Sequence, residues 1–148
     1  MKKLSEVIQI SSNISKIELD HILEDMIISV ESNLCISVED GYEDNSFWIS
    51  FDGDADNDGF WPSAGIIELD VNNNPFTKIT SLAHEVGHYF IERDLSLGSG
   101  THKIFEESTA WYLGYKYFES NGFIIDTKEY KKEMNKCLDQ YVKSLSED

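Results

Sequence analysis

Apolar residues recur along the chain with two different periods, and the change of period divides it into elements. From Ser15 onward, Leu19, Ile22, Leu23, Met26, Ile27 and Val30 follow the 3.6-residue spacing of a helix with one buried face, and Ser15 with Glu18 makes a capping box at its start. After Asn33 the period shortens. Segments 34–39, 46–51 and 65–71 are short, β-rich and bounded by turn residues, which predicts three strands. Gly41 marks the first connection and the acidic run 52–59 the second. Past Pro75 the helical period returns over 77–93, 102–120 and 127–145, the last with Tyr130, Met134, Leu138, Tyr141 and Leu145 on one stripe. A helix, a three-stranded meander and three further helices predict an α+β fold: a small antiparallel or mixed sheet with helices on one face. Nothing repeats and no linker composition interrupts the pattern, so residues 1–148 are expected to form a single domain.

Charge narrows the partners. The chain carries 12 Lys and Arg against 28 Asp and Glu, a formal net charge of −16. A long-range field of that sign repels nucleic-acid phosphates and anionic membrane surfaces, so neither is an expected partner. Ser5, Glu6 and Gln9 break any apolar run after the first residues, and no stretch approaches a membrane span. Cys35 and Cys137 lie far apart and match no metal or redox spacing, as expected of two reduced, partly buried thiols. These features predict a soluble, cytoplasmic protein.

The segment His84-Glu85-Val86-Gly87-His88 lies inside a helical pattern of Ile79, Leu82, Ala83, Val86 and Phe90. Residues four apart on a helix lie one above the other, so both imidazoles can aim a nitrogen at one ion. Glu85 sits about 100° further round, where its carboxylate can take a proton from a metal-activated water. Gly87 costs the helix about 1 kcal/mol relative to Ala, which suggests that the sheet or a substrate approaches closely there. A catalytic zinc needs a third protein ligand. Tyr89 through Leu97 contains no histidine; His102 lies at the end of a Gly-rich loop, and Glu106 and Glu107 open the next helix. Eighteen residues separate His88 from Glu107, enough to finish one helix, turn through Gly98-Ser99-Gly100 and return antiparallel. Ala110 then places a small residue one turn after Glu107, against the first helix.

His84-Glu85-x-x-His88, this gap and Glu107-x-x-Ala110 resemble the gluzincins, zinc metallopeptidases in which a downstream helical Glu completes the metal site. Gly65-Ile66-Ile67-Glu68-Leu69-Asp70 and the run from Phe76 to Phe90 resemble, more narrowly, the small ImmA/IrrE-like metallopeptidases; the similarity covers about residues 64–120. The resemblance implies a zincin-like domain holding one Zn2+ through His84, His88 and Glu107, with Glu106 as an outer acceptor or in solvent. It implies a narrow-specificity intracellular peptidase in which Glu85, as general base, passes the proton of the attacking water to the leaving amine. A further donor to the oxyanion is expected, with Tyr115, His102 and Tyr112 as candidates; Tyr115 lies about 80° off the face of Glu107. An outer acceptor for each imidazole is also expected, though spacing singles out none.

The run Asp54-Ala55-Asp56-Asn57-Asp58-Gly59 matches the start of a calcium loop, with carboxylates at Asp54, Asp56 and Asp58. Its position 12 is Gly65 rather than Glu, so a solvated hairpin tip is the stronger expectation, ahead of Ca2+ or a negative lip for basic peptides. Two other function classes stand beside the peptidase. One is a non-catalytic acidic binding or inhibitor protein on a zincin scaffold, for which −16 would suit a DNA mimic. The other is a metal-dependent hydrolase of a different bond. The pattern leaves the oligomeric state open.

Overall fold

The structure, a computed structural model, describes residues 7–42, 46–50, 65–95 and 103–146. The elements in chain order are β1 (Ile8–Ile10), α1 (Lys16–Leu34), β2 (Ile36–Gly41), β3 (Phe47–Ser50), β4 (Gly65–Asp70), α2 (Pro75–Asp94), α3 (Lys103–Ser120), β5 (Phe123–Ile125) and α4 (Thr127–Ser146). The mixed α+β class expected from the pattern is what the described residues adopt.

The predicted cap starts α1: the Ser15 hydroxyl accepts from the Glu18 backbone N–H at 3.3 Å. Leu19, Leu23, Met26, Val30 and Leu34 form its buried stripe. The helix runs through Leu34, which the sequence pattern assigned to a strand, and stops at Cys35 in the left-handed region, φ 54°. That conformation presses a side chain's Cβ against the following carbonyl, and glycine avoids the contact. Cys35→Gly is therefore expected to raise stability by about 0.5–1 kcal/mol in urea unfolding, and a loss would mean that the exposed Cys35 thiol makes a compensating contact.

The meander is corrected by the structure. Strand order is β2-β4-β3, with β2 parallel and β3 antiparallel to the central β4. β4, with Ile67 and Leu69 buried, takes the position flanked on both sides; β2 carries Glu39 and Asp40 on exposed positions and lies at an edge. Gly41 is the last paired residue of β2, opposite Asp70, and the connection follows it. A second, two-stranded parallel sheet pairs β1 with β5, Ile8 opposite Phe123 through Ile10 opposite Ile125. Three-residue strands are too short to show an alternating period, so the pattern gave no sign of them.

Between β4 and α2 the chain turns on its own side chains. Asp70 Oδ1 accepts from Asn72 N at 2.9 Å, and Asn74 Oδ1 accepts from Thr77 N at 2.9 Å as the cap of α2. Pro75 occupies the first turn, where its missing N–H is no loss, so α2 starts two residues before the apolar period does. Its buried positions, among them Phe76, Ile79, Leu82, Ala83, Val86, Tyr89 and Ile91, lie on more than one side, as befits a helix packed against α1, the three-stranded sheet and α3. The Tyr130 hydroxyl, at the start of α4, donates to the Trp111 carbonyl at 2.5 Å and closes the bundle from the other side. Among the described residues no helix is long and apolar enough to cross a membrane.

Candidate metal centre

The antiparallel return expected after His88 is made by direct contact of two helix backbones. A Cβ added at Gly87 would lie 1.7 Å from the Ala110 carbonyl oxygen, and one added at Gly114 would lie 1.7 Å from the Ala83 carbonyl oxygen. Pairing 87 with 110 and 83 with 114 fixes α2 and α3 as antiparallel neighbours with no side chain between them. The close approach at Gly87 thus comes from α3, not from the sheet or a substrate, and Ala110 sits at the crossing. Glu107, one turn before Ala110, is carried onto the histidine face.

The result is a triangle of electron-pair donors. His84 Nε2 lies 2.5 Å from Glu107 Oε2, His88 Nε2 lies 3.1 Å from the same oxygen, and the two Nε2 atoms are 3.1 Å apart. Among the described residues, His84, His88 and Glu107 form the group of three whose ligand atoms could hold one metal ion. Nitrogen and oxygen ligands about 2.0–2.1 Å from a tetrahedral ion stand about 3.3 Å from one another. The two edges to His88 come near that value; the His84–Glu107 edge is shorter.

The outer sides of both rings meet carboxylates. His84 Nδ1 is 3.3 Å from Glu85 Oε2, and His88 Nδ1 is 3.7 Å from Glu106 Oε1. Two imidazole nitrogens and one carboxylate oxygen facing one point are a donor set that fits a divalent cation. Glu106 stands on the outer side of His88, one of its two expected places, at a distance too long for a hydrogen bond. Glu106, weighed as a third ligand, faces the outer nitrogen of His88, while Glu107 supplies the inner oxygen. Lys103 Nζ lies 3.8 Å from both Glu106 Oε2 and Glu107 Oε1, so one lysine contacts the far side of the pair. The His84 ring also stacks on Trp111, centroids 4.5 Å apart and planes 11° from parallel, which fixes its rotation. Trp111 follows Glu107 by one turn on the same face, and that i, i+4 spacing is the signal that could have found it.

Burial and hydrogen bonding set the protons. Burial lowers the His84 pKa, and the neighbouring His88 adds to the effect, outweighing the hydrogen bond with Glu107. Burial also pulls on His88, but its hydrogen bond to Glu107 and the charges of Glu85, Glu107 and Glu106 win and raise it. Burial alone would raise the Glu107 carboxyl; hydrogen bonds from His84 and His88 and their charge hold it far below the usual carboxylate range. Glu107 is thus an anion, and it is 6% exposed against 13% for His84 and 16% for His88. The triad opens to solvent on the histidine side.

The remaining sequence candidates fall elsewhere. Tyr115 lies two turns further along α3 with its ring 5.2 Å from that of Tyr130, and burial and then Glu119 raise its pKa. Tyr112 is 60% exposed on the outer side of α3. His102, the Gly98–Gly100 turn and the Asp54, Asp56 and Asp58 carboxylates considered for Ca2+ lie outside the described residues. Cys35 and Cys137 are unpaired, the first exposed and the second half-buried. No family model, curated protein or solved structure matches the chain.

Proposed function

We propose that this chain is a zinc-dependent peptidase of the gluzincin kind, resembling the ImmA/IrrE-like metallopeptidases, and that it acts on basic protein or peptide segments in the cytoplasm. The observation that carries the reading is the convergence of His84 Nε2, His88 Nε2 and Glu107 Oε2 on one point. His84, His88 and Glu107 would hold the ion. When bound, zinc supplies a Lewis acid that polarises a carbonyl and lowers the pKa of water toward about 7.

The chain's own groups do the rest. Glu85, buried beside His84, accepts one proton of the attacking water as its oxygen bonds to the carbonyl carbon. It then delivers that proton to the amine nitrogen as the C–N bond breaks, which returns the carboxylate to its starting state. Trp111 keeps the His84 ring from turning, so the donor triangle is set before substrate arrives. The net charge of −16 draws positively charged segments to the molecule and supports a basic substrate.

The test is metal content of protein purified without a histidine tag, beside His84→Ala and Glu107→Ala. The expected result is about one zinc per chain in the parent and almost none in either variant. No zinc in the parent, even after adding it back, would overturn the reading. A stoichiometric, chelator-insensitive complex with a basic nucleic-acid-binding protein would then mark the chain as a binding protein.

A further inference from the structure

Where the end of α2 lies beside the second half of α3, a groove of about 320 Å³ opens on the surface. Phe90, Asp94 and Leu95 line it from the side of α2, and Leu113, Lys116 and Tyr117 from the side of α3. Its aromatic wall is fixed before anything enters. The Tyr117 hydroxyl donates to the Ser29 carbonyl at 3.2 Å and accepts from Asn33 Nδ2 at 3.3 Å, which ties the ring to α1, and the Phe90 ring lies 5.6 Å from it. A wall held this way loses little entropy when another side chain packs on it. Leu95, 41% exposed, carries the apolar surface out to the rim.

Beside the groove stands a side chain able to fill one like it. Tyr112 is 60% exposed on α3, next to Leu113 and one turn before Lys116, so the two form a ridge along the outer edge of the groove. The rim charges are opposite in sign and lie on opposite walls, Asp94 on α2 and Lys116 on α3. Each has an exposed neighbour: Asp94 Oδ1 lies 3.4 Å from Arg93 Nε, and Lys116 Nζ lies 2.7 Å from Glu119 Oε1. Such surface pairs contribute little and exchange readily. These four charges cancel in a chain whose net charge is −16, so a second copy, repelled by the acidic remainder of the molecule, meets no net charge here. We propose that two copies of the chain associate through this face: Tyr112 of each copy enters the groove of the other, and Lys116 of each reaches Asp94 on its far wall. A knob beside a hole, with a base across from an acid, is a patch complementary to itself, and a two-fold axis running along α3 satisfies both contacts twice. A basic peptide finds no net negative charge in this groove to hold it. The surface uses none of the metal ligands, so the inference stands or falls apart from the peptidase reading.

The test is sedimentation velocity of the full chain in about 0.15 M salt, where charges more than about 8 Å apart are largely screened. The parent is expected to pass from monomer to dimer with a dissociation constant of about 1–100 μM, as suits a small interface. Tyr112→Ala, which removes the knob from an exposed position, is expected to weaken the dimer about tenfold or more while urea unfolding stays as in the parent. Asp94→Lys and Lys116→Asp should each weaken it to a similar extent, because like charges then meet across the groove. An equimolar mixture of these two variants should recover the dimer: the two reversed sites face each other, and so do the two unreversed ones. A parent that stays monomeric up to about 500 μM would overturn the proposal. So would a dimer untouched by Tyr112→Ala, or one that each reversal weakens and the mixture does not restore.

Discussion

Glu85→Gln is expected to keep its zinc and lose hydrolysis of a mixed pool of unstructured peptides by about 10²–10⁴-fold, read by mass spectrometry of the products. The two halves of that expectation come from different atoms. Glu85 Oε2 lies 3.3 Å from His84 Nδ1, and glutamine places a group of the same size there, while the stacking on Trp111 is untouched. The His84 ring therefore keeps its orientation, and the donor triangle with His88 and Glu107 is unchanged. What the amide cannot do is take a proton from water and return it to the amine. A factor of 10²–10⁴ corresponds to about 3–5.5 kcal/mol of barrier, far more than loss of one exposed hydrogen bond would give. The companion variants His84→Ala and Glu107→Ala should fail in the other way, by losing the metal. A zinc-loaded Glu85→Gln protein with full activity would remove Glu85 from the chemistry, and with it the peptidase mechanism.

The sequence made part of this centre legible because part of it is periodic. His84 and His88 stand one turn apart, and no tertiary information is needed to put them on one face. Glu107 was within reach of spacing once the chain was assumed to return antiparallel, and Ala110 was the hint that it does. The helices were legible for the same reason, from Leu19 to Val30 in α1 and from Tyr130 onward in α4. What stayed hidden depends on which element lies beside which. The order β2-β4-β3 follows from competition for the central place in a sheet, and local alternation does not encode that competition. β1 and β5 have three residues each and exist because they pair with one another across almost the whole chain. The stacking of Trp111 on His84 likewise appears only when α3 is laid against α2. The apolar stripe of α4 predicted that Tyr130 faces inward, but a stripe cannot tell that its hydroxyl meets the Trp111 carbonyl.

Gly114→Ala is expected to destabilise the protein by about 3 kcal/mol or more, although alanine is intrinsically the better helix residue by about 1 kcal/mol. The added methyl would lie 1.7 Å from the Ala83 carbonyl oxygen, 2.4 Å from its carbon and 3.2 Å from its Cα. All three are backbone atoms of a helix packed against other elements, so no side chain can swing away. The helices must separate, and the same argument applies at Gly87 against Ala110. For a chain of this size that loss should lower the melting temperature by roughly 6–12 °C. Gly114 is the more telling site because it lies two turns beyond Glu107 and its nearest contacts are backbone atoms of Ala83. If the backbone crossing at Gly87 and Gly114 is what carries Glu107 to the histidines, Gly114→Ala should also weaken zinc binding while leaving every ligand in the sequence. A Gly114→Ala protein that gained about 1 kcal/mol, as at an ordinary exposed helix position, would mean that α2 and α3 do not touch there. Loss of stability with unchanged zinc affinity would separate the two claims: the crossing would hold the fold, and the loop before α3 would set the position of Glu107.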